Sequence, residues 1–287
     1  MSDSQSQAAG GGTAAVPFPS IPQSLAIWCL VPLVALACFP LTGLQPIVGL
    51  ETSTLIYHVA VFGLIFALAH LWRRRRLGTS RYRWRVRSWR VAVLVAIASV
   101  CLLFGLILPL TRFVPMPALM ENAVQAVQTF TGPSTFLYLV IVTPILEELI
   151  FRGIILDGLL DRHRGWIAIL VASLLSASMH LNPPQFIAGL MLGCLMGWVY
   201  KQTRSVGACI VIHMTANLSR FILRFFPDEL DGMAMVEAWG GPFAFVAARG
   251  GLLLLCLVCL QLLRREFCVP SAAGEQGPRE APPRQPA

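Results

Sequence analysis

The sequence predicts an all-α, polytopic membrane protein with about eight transmembrane helices in one bundle, and two observations carry that prediction. Of the 287 residues, 56% are hydrophobic and 13% are charged, whereas soluble domains are about a quarter charged. The apolar residues also form uninterrupted stretches of about 20 residues, such as 91–110, without the periodicity of a half-buried strand or helix. A helix of that length rises roughly 30 Å, which matches the hydrocarbon core of a bilayer.

The polar segments divide the chain around these stretches. The first 24 residues are polar and lack lysine and arginine, so 1–24 predicts a disordered cytoplasmic tail rather than a secretory signal. A second disordered cytoplasmic tail is expected at 266–287, which is rich in Pro, Gly and charge. The transmembrane bundle is expected at 25–265. Within it, the segment 113–134 is too short and too polar to span the membrane, and we expect it to form an amphipathic helix at the interface. The predicted spans are 25–43, 53–72, 91–112, 135–158, 166–182, 184–203, 206–226 and 243–263.

The charges of the predicted loops alternate in sign along the chain. Nine of the 22 lysines and arginines lie in 73–90, and the loops 159–165 and 201–205 are also basic, whereas 44–52 and 227–242 carry acidic residues. Because basic loops stay in the cytoplasm, both termini are expected there. The net charge of +8 is interpreted as a signal of membrane orientation, with binding of anionic lipid as the alternative, and no nucleic-acid partner is expected. Four arginines near the outer span ends are expected to snorkel or to serve the interior: Arg112, Arg220, Arg224 and Arg249.

Small residues inside the apolar stretches are interpreted as packing features. Most of the eight cysteines fall in such stretches, where free thiols behave as small hydrophobic groups, so no disulfide is expected. Cys256 and Cys259 lie among leucines with no second pair nearby, which favours helix packing over redox or metal chemistry. Gly189, Gly193 and Gly197 form a seam for close approach of a neighbouring helix.

Ionisable side chains inside the predicted spans indicate the candidate functional site. Each costs at least ~2.5–3.5 kcal/mol at mid-membrane, so each calls for a specific role. The fourth span contains Glu147, Glu148 and Arg152, of which Glu148 and Arg152 are four residues apart and are expected to form an ion pair. Glu147 then lacks that partner, which is the setting of a general base. The alternative is a structural knot in which both glutamates bind the one arginine.

Two later spans supply further polar groups. His213 and Asn217 are four residues apart and therefore share a helix face. His180 is expected to end the fifth span. His58 and His70 are interpreted as hydrogen-bonded packing residues, because that is the common role of a single intramembrane histidine.

The order of these motifs resembles the CPBP glutamic-type intramembrane proteases, which are relatives of the CAAX prenyl endopeptidases of the Ras-converting type. The resemblance covers about 135–220 and consists of Glu-Glu-x-x-x-Arg, a histidine closing the next span, and His-x-x-x-Asn two spans later. One departure is Ser176, which stands where the family's Phe-x-x-x-His motif has phenylalanine. We expect that change to affect the substrate pocket before the mechanism.

The resemblance implies an intramembrane endopeptidase with a catalytic core at 135–226. Glu147 with His180 would activate a water for attack on a peptide carbonyl. His213 and Asn217 would hold the developing oxyanion, and such donors act most strongly where water is scarce.

The resemblance also implies surroundings and substrates for this core. Glu148 and Arg152 would fix the helix and keep Glu147 aimed. No cofactor is expected. Zinc is the alternative, because two histidines and two glutamates can bind it. Against zinc, Asn217 is a poor ligand and the His-Glu-x-x-His spacing is missing. The implied partner is a membrane-anchored or lipidated peptide or protein in the bilayer, such as a bacteriocin-type leader, a C-terminal sorting helix or a prenylated tail.

Composition and depth add two expectations. One lysine against 21 arginines is typical of a GC-rich bacterial genome, which predicts an inner-membrane location and makes a prenylated tail the least expected substrate. Measured from the basic boundaries, Glu147, His180 and His213 lie ~21, ~24 and ~14 Å deep at the helical rise. The site is therefore expected in the middle to outer half of the bilayer. Two other functions use the same residues: a proton-coupled transporter with a Glu/His relay and a non-catalytic scaffold that binds partner helices.

Overall fold

A computed structural model of the chain describes residues 16–226 and 240–268. Every regular element in these two ranges is helical, which confirms the predicted all-α class. The helices are α1 (Ile21–Val48), α2 (Leu50–Leu77), α3 (Trp89–Thr111), α4 (Ala118–Gln128), α5 (133–160), α6 (Gly165–Ala177), α7 (Pro183–Thr203), α8 (Val206–Leu223) and α9 (Pro242–Cys268).

Each of the eight predicted spans coincides with a helix, but their number as membrane crossings is not confirmed. Within the described ranges, five helices are long and apolar enough to cross a membrane, namely α1, α2, α3, α8 and α9. The 13 residues of α6 rise only about 20 Å, and α5 carries the charged residues of the candidate site. Three helices that position the site, α5, α6 and α7, are therefore not recognised as crossings by length and hydropathy alone.

The helical part of the chain begins inside the predicted N-terminal tail. α1 starts at Ile21, where a capping box pairs the backbone amides of Ser20 and Gln23 with each other's side-chain oxygens. Phe18 is 2% exposed and packs edge-on against Trp72. The tail boundary at residue 24 is therefore wrong, because these residues already pack on the bundle. α9 likewise continues past residue 266, and the rest of the two predicted tails, 1–15 and 269–287, lies outside the described residues.

Helix α5 lies at the centre of the bundle. Nearly every residue from 149 to 159 is buried, as in a helix enclosed by its neighbours on all sides. The helix widens to a π-helical hydrogen-bond pattern over Leu137–Val142 and again over Phe151–Leu156, with α-helical Thr143–Ile150 between them. Such π-helical turns are frequent at functional sites. Here they bracket the segment that contains both glutamates.

Helix α2 runs parallel to α5 along its whole length. At one end the hydroxyls of Thr52 and Ser134 are 2.9 Å apart, and at the other the Arg73 guanidinium is 2.5 Å from the Asp157 carboxylate. Glu51 also accepts hydrogen bonds from the amide and hydroxyl at the start of α5, where a carboxylate interacts favourably with the helix dipole. The parallel register therefore decides which α2 side chains lie beside the site.

Asp157 joins α5 to α2 and α7 at the basic end of the bundle. Besides Arg73, it accepts hydrogen bonds from Tyr200 at 2.9 Å and from Arg204 at 2.8 Å. Arg204 has a φ of +51°, in the left-handed region that non-glycine residues rarely adopt. Its guanidinium also forms an ion pair with Asp161 at 2.9 Å. The ion pairs with Asp157 and Asp161 therefore hold the turn between α7 and α8 in place.

The basic segment 79–88 is anchored on the start of α8. The Val206 amide donates to the Arg83 carbonyl at 2.8 Å, and the Ser205 hydroxyl donates to the Arg85 carbonyl at 3.0 Å. The side chains of Arg83 and Arg85 are exposed. The main chain of this loop is thus fixed to the bundle while its arginines face outward; the cytoplasmic placement of this end stays a prediction.

The predicted amphipathic helix is present as α4. Arg224 at the end of α8 donates to the Val127 carbonyl at 3.1 Å and to the Phe130 carbonyl at 2.6 Å, which ties the end of α4 to the bundle. Arg249 donates to the Phe104 carbonyl. These two arginines therefore serve the interior of the protein, and the interfacial position of α4 stays a prediction.

Helix α9 packs on α3 through small side chains. Cys256 and Cys259 form a buried cluster with Ala98 and Cys101, separate from the main core. The packing interpretation of the cysteine pair is thereby confirmed. All eight cysteines are free thiols.

Candidate active site

The three charged residues of the α5 motif are buried in the protein. Glu147 is 4% exposed, Glu148 is 0% exposed and Arg152 is 1% exposed. Glu148 Oε1 accepts a hydrogen bond from Arg152 Nη1 at 2.9 Å, which confirms the predicted pair four residues apart. Removal of charges from water is costly, so a buried pair of this kind needs further hydrogen bonds to persist.

His213 supplies one of those further bonds. Its Nδ1 lies 2.9 Å from the same Glu148 Oε1. Since a carboxylate accepts, Nδ1 carries the hydrogen, and Nε2 of the neutral ring is left as an acceptor. Glu148 therefore fixes both the orientation and the tautomer of His213, in the way that carboxylates orient histidines in other sites. The second carboxylate oxygen, Oε2, is buried and has no hydrogen-bond partner among the described residues.

Arg152 connects α5 to the two helices that follow it. Its Nη1 is 3.5 Å from the Ser176 hydroxyl on α6, and its Nη2 is 3.4 Å from the Gly193 carbonyl on α7. Ser176, the position at which the family motif has phenylalanine, is 7% exposed and contacts the arginine. The serine therefore belongs to the buried polar network, and its effect on a substrate pocket stays a prediction.

The predicted glycine seam lies between α6 and α7 and also borders the site. A Cβ at Gly193 would lie 3.0 Å from Ser173, and one at Gly189 would lie 3.2 Å from the His180 ring. Close helix packing is thus confirmed as the role of the seam. Because α6 and α7 approach closely at this seam, the Gly193 carbonyl is within reach of Arg152 and the His180 ring packs against α7. The seam therefore helps to form the site.

The Glu147 side chain differs from that of Glu148 in having no hydrogen bond or ion pair with any described residue. It is within electrostatic range of His180. It is also within electrostatic range of His58 and Tyr138. The side chains of the two adjacent glutamates therefore face different surroundings: Glu148 is bonded to Arg152 and His213, whereas Glu147 has no such partner among the described residues.

His180 lies in a turn, which corrects its predicted place at the end of a span. α6 ends at Ala177, and the His180 amide bonds to the Ala177 carbonyl at 3.1 Å in a tight turn. Asn182 then caps α7, its side-chain oxygen accepting from the Gln185 amide at 2.9 Å. Helix α6 stops early because the Asn-Pro-Pro sequence that follows favours a new helix start over continuation.

Asn217 holds α8 against an interruption in α5. The Thr143 amide donates to the Tyr138 carbonyl, one residue further back than in an α-helix. Pro144 has no amide hydrogen, so the Leu139 carbonyl lacks the usual main-chain donor. The Asn217 side-chain nitrogen donates to it instead at 2.9 Å. One of the two amide hydrogens of Asn217 is therefore used structurally, and the other remains for a ligand.

Sequence reasoning missed the pair formed by His58 and Tyr138. His58 Nδ1 lies 2.9 Å from the Thr54 carbonyl, so Nδ1 is the donor and Nε2 accepts from the Tyr138 hydroxyl at 3.1 Å. The packing interpretation of His58 is correct as far as these bonds go, but it omits the proximity to Glu147. No local spacing connects positions 58 and 138; the parallel register of α2 and α5 does.

Arg220 is a second residue whose position the sequence left open. It lies on the same face of α8 as His213 and Asn217, within electrostatic range of His180 and Arg224. Arg220 therefore places a guanidinium group toward the end of the site nearest the last turns of α8.

The donor set fits a metal poorly. Among the described residues there is no group of three or more His, Cys, Asp or Glu side chains placed to hold a metal ion. Glu148 Oε1 and His213 Nδ1 already bond to each other, so neither atom is free to coordinate.

Two comparisons with known proteins found similar sequences, and the family match covers the segment that contains the motifs. Residues 129–219 match the family described as Type II CAAX prenyl endopeptidase Rce1-like. A Bacillus subtilis (strain 168) protein named "Putative membrane peptidase YdiL" is 29% identical over 87 residues, which are 30% of this chain and 36% of that protein. The matching segment thus spans about a third of the relative's length. No solved structure matches the chain.

The matched segment contains the four residues proposed for catalysis, on α5, on α8 and in the turn after α6. Several apolar helices surround it, so the protein is a multi-pass integral membrane protein. The family match agrees with the resemblance recognised from the motifs: over residues 129–219, this chain is similar to the Rce1-like CAAX prenyl endopeptidases.

Proposed function

We propose that this protein is an intramembrane endopeptidase in which Glu147, with His180, activates a water for attack on a peptide carbonyl. The observation that carries the proposal is the contrast between the two adjacent buried glutamates. Glu148 is bound by Arg152 and His213, while the Glu147 side chain is 4% exposed, has no such partner among the described residues and lies within electrostatic range of His180. A general base must be buried enough to act without bulk water and free of a permanent counter-ion.

His213 and Asn217 are the proposed stabilisers of the oxyanion. Asn217 keeps one amide hydrogen free beside the bond to Leu139. His213 presents Nε2 to the site, because Nδ1 is held by Glu148. In its neutral form Nε2 accepts a proton, and once protonated it donates to the developing negative charge. We infer that the proton taken from the attacking water is shared between Glu147 and the histidines before it reaches the leaving amine.

The proposed substrate is a membrane-anchored or lipidated peptide. The family whose description matches residues 129–219 is one of prenyl endopeptidases, and the site is enclosed by apolar helices. A scissile segment must therefore reach the site from within the bilayer or its interface. The sequence composition still makes a prenylated tail the least expected of the three substrate types.

The test is a Glu147→Gln variant in cells that co-express a candidate substrate, with peptide ends compared between cells that have and lack the protein. Removal of a general base typically lowers the rate 10²–10⁴-fold. Glu121→Gln, which alters an exposed glutamate on α4, is the matched control and should cleave normally. Undiminished cleavage by Glu147→Gln would refute the catalytic assignment.

The same preparation tests the two alternatives. A proton-coupled transporter would lose proton flux in Glu147→Gln and would generate no new peptide ends. A scaffold would keep its partner binding in this variant. We expect activity to survive chelation, because no described group of ligands fits a metal; loss of activity that zinc restores would establish the zinc mechanism instead.

A further inference from the structure

A groove between the start of α3 and the end of α9 has a charged end and apolar walls. It encloses about 400 Å³ at the basic end of the bundle. Arg90 and Arg265 line its charged end, while Val93 and Leu262 line its walls and are 45% and 40% exposed. Neither arginine belongs to the candidate active site, and no function has so far been attached to this surface.

The apolar walls continue along both helices toward the middle of the bundle. On α3, Trp89, Val93 and Ile97 are exposed at intervals of four and therefore share one face. On α9, Val258 and Leu262 are exposed at the same interval. The helices are antiparallel, because Phe104 near the end of α3 lies beside Arg249 near the start of α9, while the start of α3 and the end of α9 line the same groove. The eight steps from residue 89 to residue 97 rise about 12 Å and the four steps from 258 to 262 rise about 6 Å, so two apolar ridges of unequal length flank the groove.

The charged end is formed by more than the two guanidinium groups. Ser88 caps the start of α3, where its hydroxyl accepts a hydrogen bond from the Val91 amide at 3.2 Å. As at every helix start, the first amides of α3 have no carbonyl of their own helix to bond. Such helix starts favour phosphate groups. Glu266 also lines the groove and offsets part of the positive charge; the sum for the three ionised side chains remains +1.

We propose that this groove binds an anionic phospholipid. The phosphate would lie between Arg90 and Arg265, and the acyl chains would follow the apolar ridges of α3 and α9. Charge complementarity selects this occupant: basic pockets at the headgroup level of membrane helices bind anionic lipids. Trp89, which is 74% exposed beside the groove, is the residue type that sits at the headgroup level of a bilayer. The proposal does not depend on the proposed peptidase activity.

The bound lipid would add a link between α9 and α3 on the outward side of the basic end. In the middle of the helix α9 is held by the cysteine cluster, and near its start Arg249 bonds to Phe104. At the basic end Leu263 is fully buried and Phe267 packs on Trp198, while the groove lies between the outward faces of α3 and α9. A lipid that bridges the two helices there should therefore stabilise the folded protein, and the stabilisation should depend on lipid charge.

The experiment measures thermal unfolding of the full chain in detergent while lipid is titrated in. The probes are dioleoyl phosphatidylglycerol, which is anionic, and dioleoyl phosphatidylcholine, which carries the same phosphate and acyl chains without net charge. We expect phosphatidylglycerol to raise the unfolding temperature at concentrations at least tenfold lower than phosphatidylcholine. Arg90→Gln/Arg265→Gln should weaken the apparent affinity for phosphatidylglycerol about 25-fold, at roughly fivefold for each arginine.

Two control variants separate this site from diffuse attraction. Arg75→Gln/Arg81→Gln removes the same charge from exposed positions outside the groove and should keep the response to phosphatidylglycerol. Val93→Trp keeps both arginines but fills the apolar wall, and it should lose the response. Equal responses to the two lipids, or equal losses in the two double variants, would overturn the proposal.

Discussion

The buried pair of Glu148 and Arg152 allows a stability prediction that is independent of any substrate. Arg152→Met keeps a long apolar side chain in place of the arginine but removes its charge. The variant loses the 2.9 Å bond to Glu148 and the longer contacts with Ser176 and Gly193. Glu148, which is fully buried, then keeps only the bond from His213.

The magnitude follows from the charge that is stranded. Removing one partner of a buried ion pair typically costs about 3–5 kcal/mol, because the remaining charge is neither solvated nor paired. Folded domains are stable by only about 5–15 kcal/mol, so this loss is a large part of the total. Arg75→Met, which alters an exposed arginine, should change the free energy of unfolding by less than about 0.5 kcal/mol.

The assay is unfolding of the purified protein in mixed micelles as the fraction of denaturing detergent is raised. Adding Glu148→Gln to Arg152→Met removes the stranded charge, so the double variant should be more stable than the sum of the two single effects by about 2 kcal/mol. A loss below about 1 kcal/mol for Arg152→Met, or strictly additive effects, would show that the pair is not the buried, coupled network described above.

Two further predictions use the same unfolding assay. Gly158→Ala should destabilise the protein by about 1–3 kcal/mol, because a Cβ there would overlap the Phe18 carbonyl. The control Gly63→Ala, with nothing within 4 Å of the added atom, should be neutral or stabilising. Equal effects of the two variants would contradict the close packing of Gly158 on Phe18. Asn217→Leu should lower the free energy of unfolding by about 1–3 kcal/mol, because it leaves the Leu139 carbonyl without its donor. The control is Ser219→Ala, which removes only a hydroxyl bonded within α8. Equal losses of stability in the two variants would refute the structural role of the Asn217 amide.

Features that depend on neighbours along one helix were predictable from the sequence. The pair of Glu148 and Arg152 is four residues apart, and that spacing alone brings the two side chains together. The glycine seam of α7 and the packing of Cys256 with Cys259 are local in the same sense. The helix-start signal at Asn182 was visible too, but it did not reveal that α6 ends as early as Ala177.

Features that depend on contacts between helices were not predictable. His58 meets Tyr138 only because α2 runs parallel to α5. Asn217 bonds to Leu139 only because Pro144 and the π-helical turn before it free that carbonyl. Neither arrangement has a signature in residue spacing, since each joins positions about 80 residues apart.

The sequence by itself determined that this is an all-α membrane protein and singled out the charged motif of α5, because span length, hydropathy and helical spacing are local properties of the chain. Only the tertiary structure decided how the two adjacent glutamates divide their roles. Neighbouring residues on a helix point about 100° apart, so the placement of α8 and of the turn after α6 determines that Glu148 binds His213 while Glu147 lies near His180.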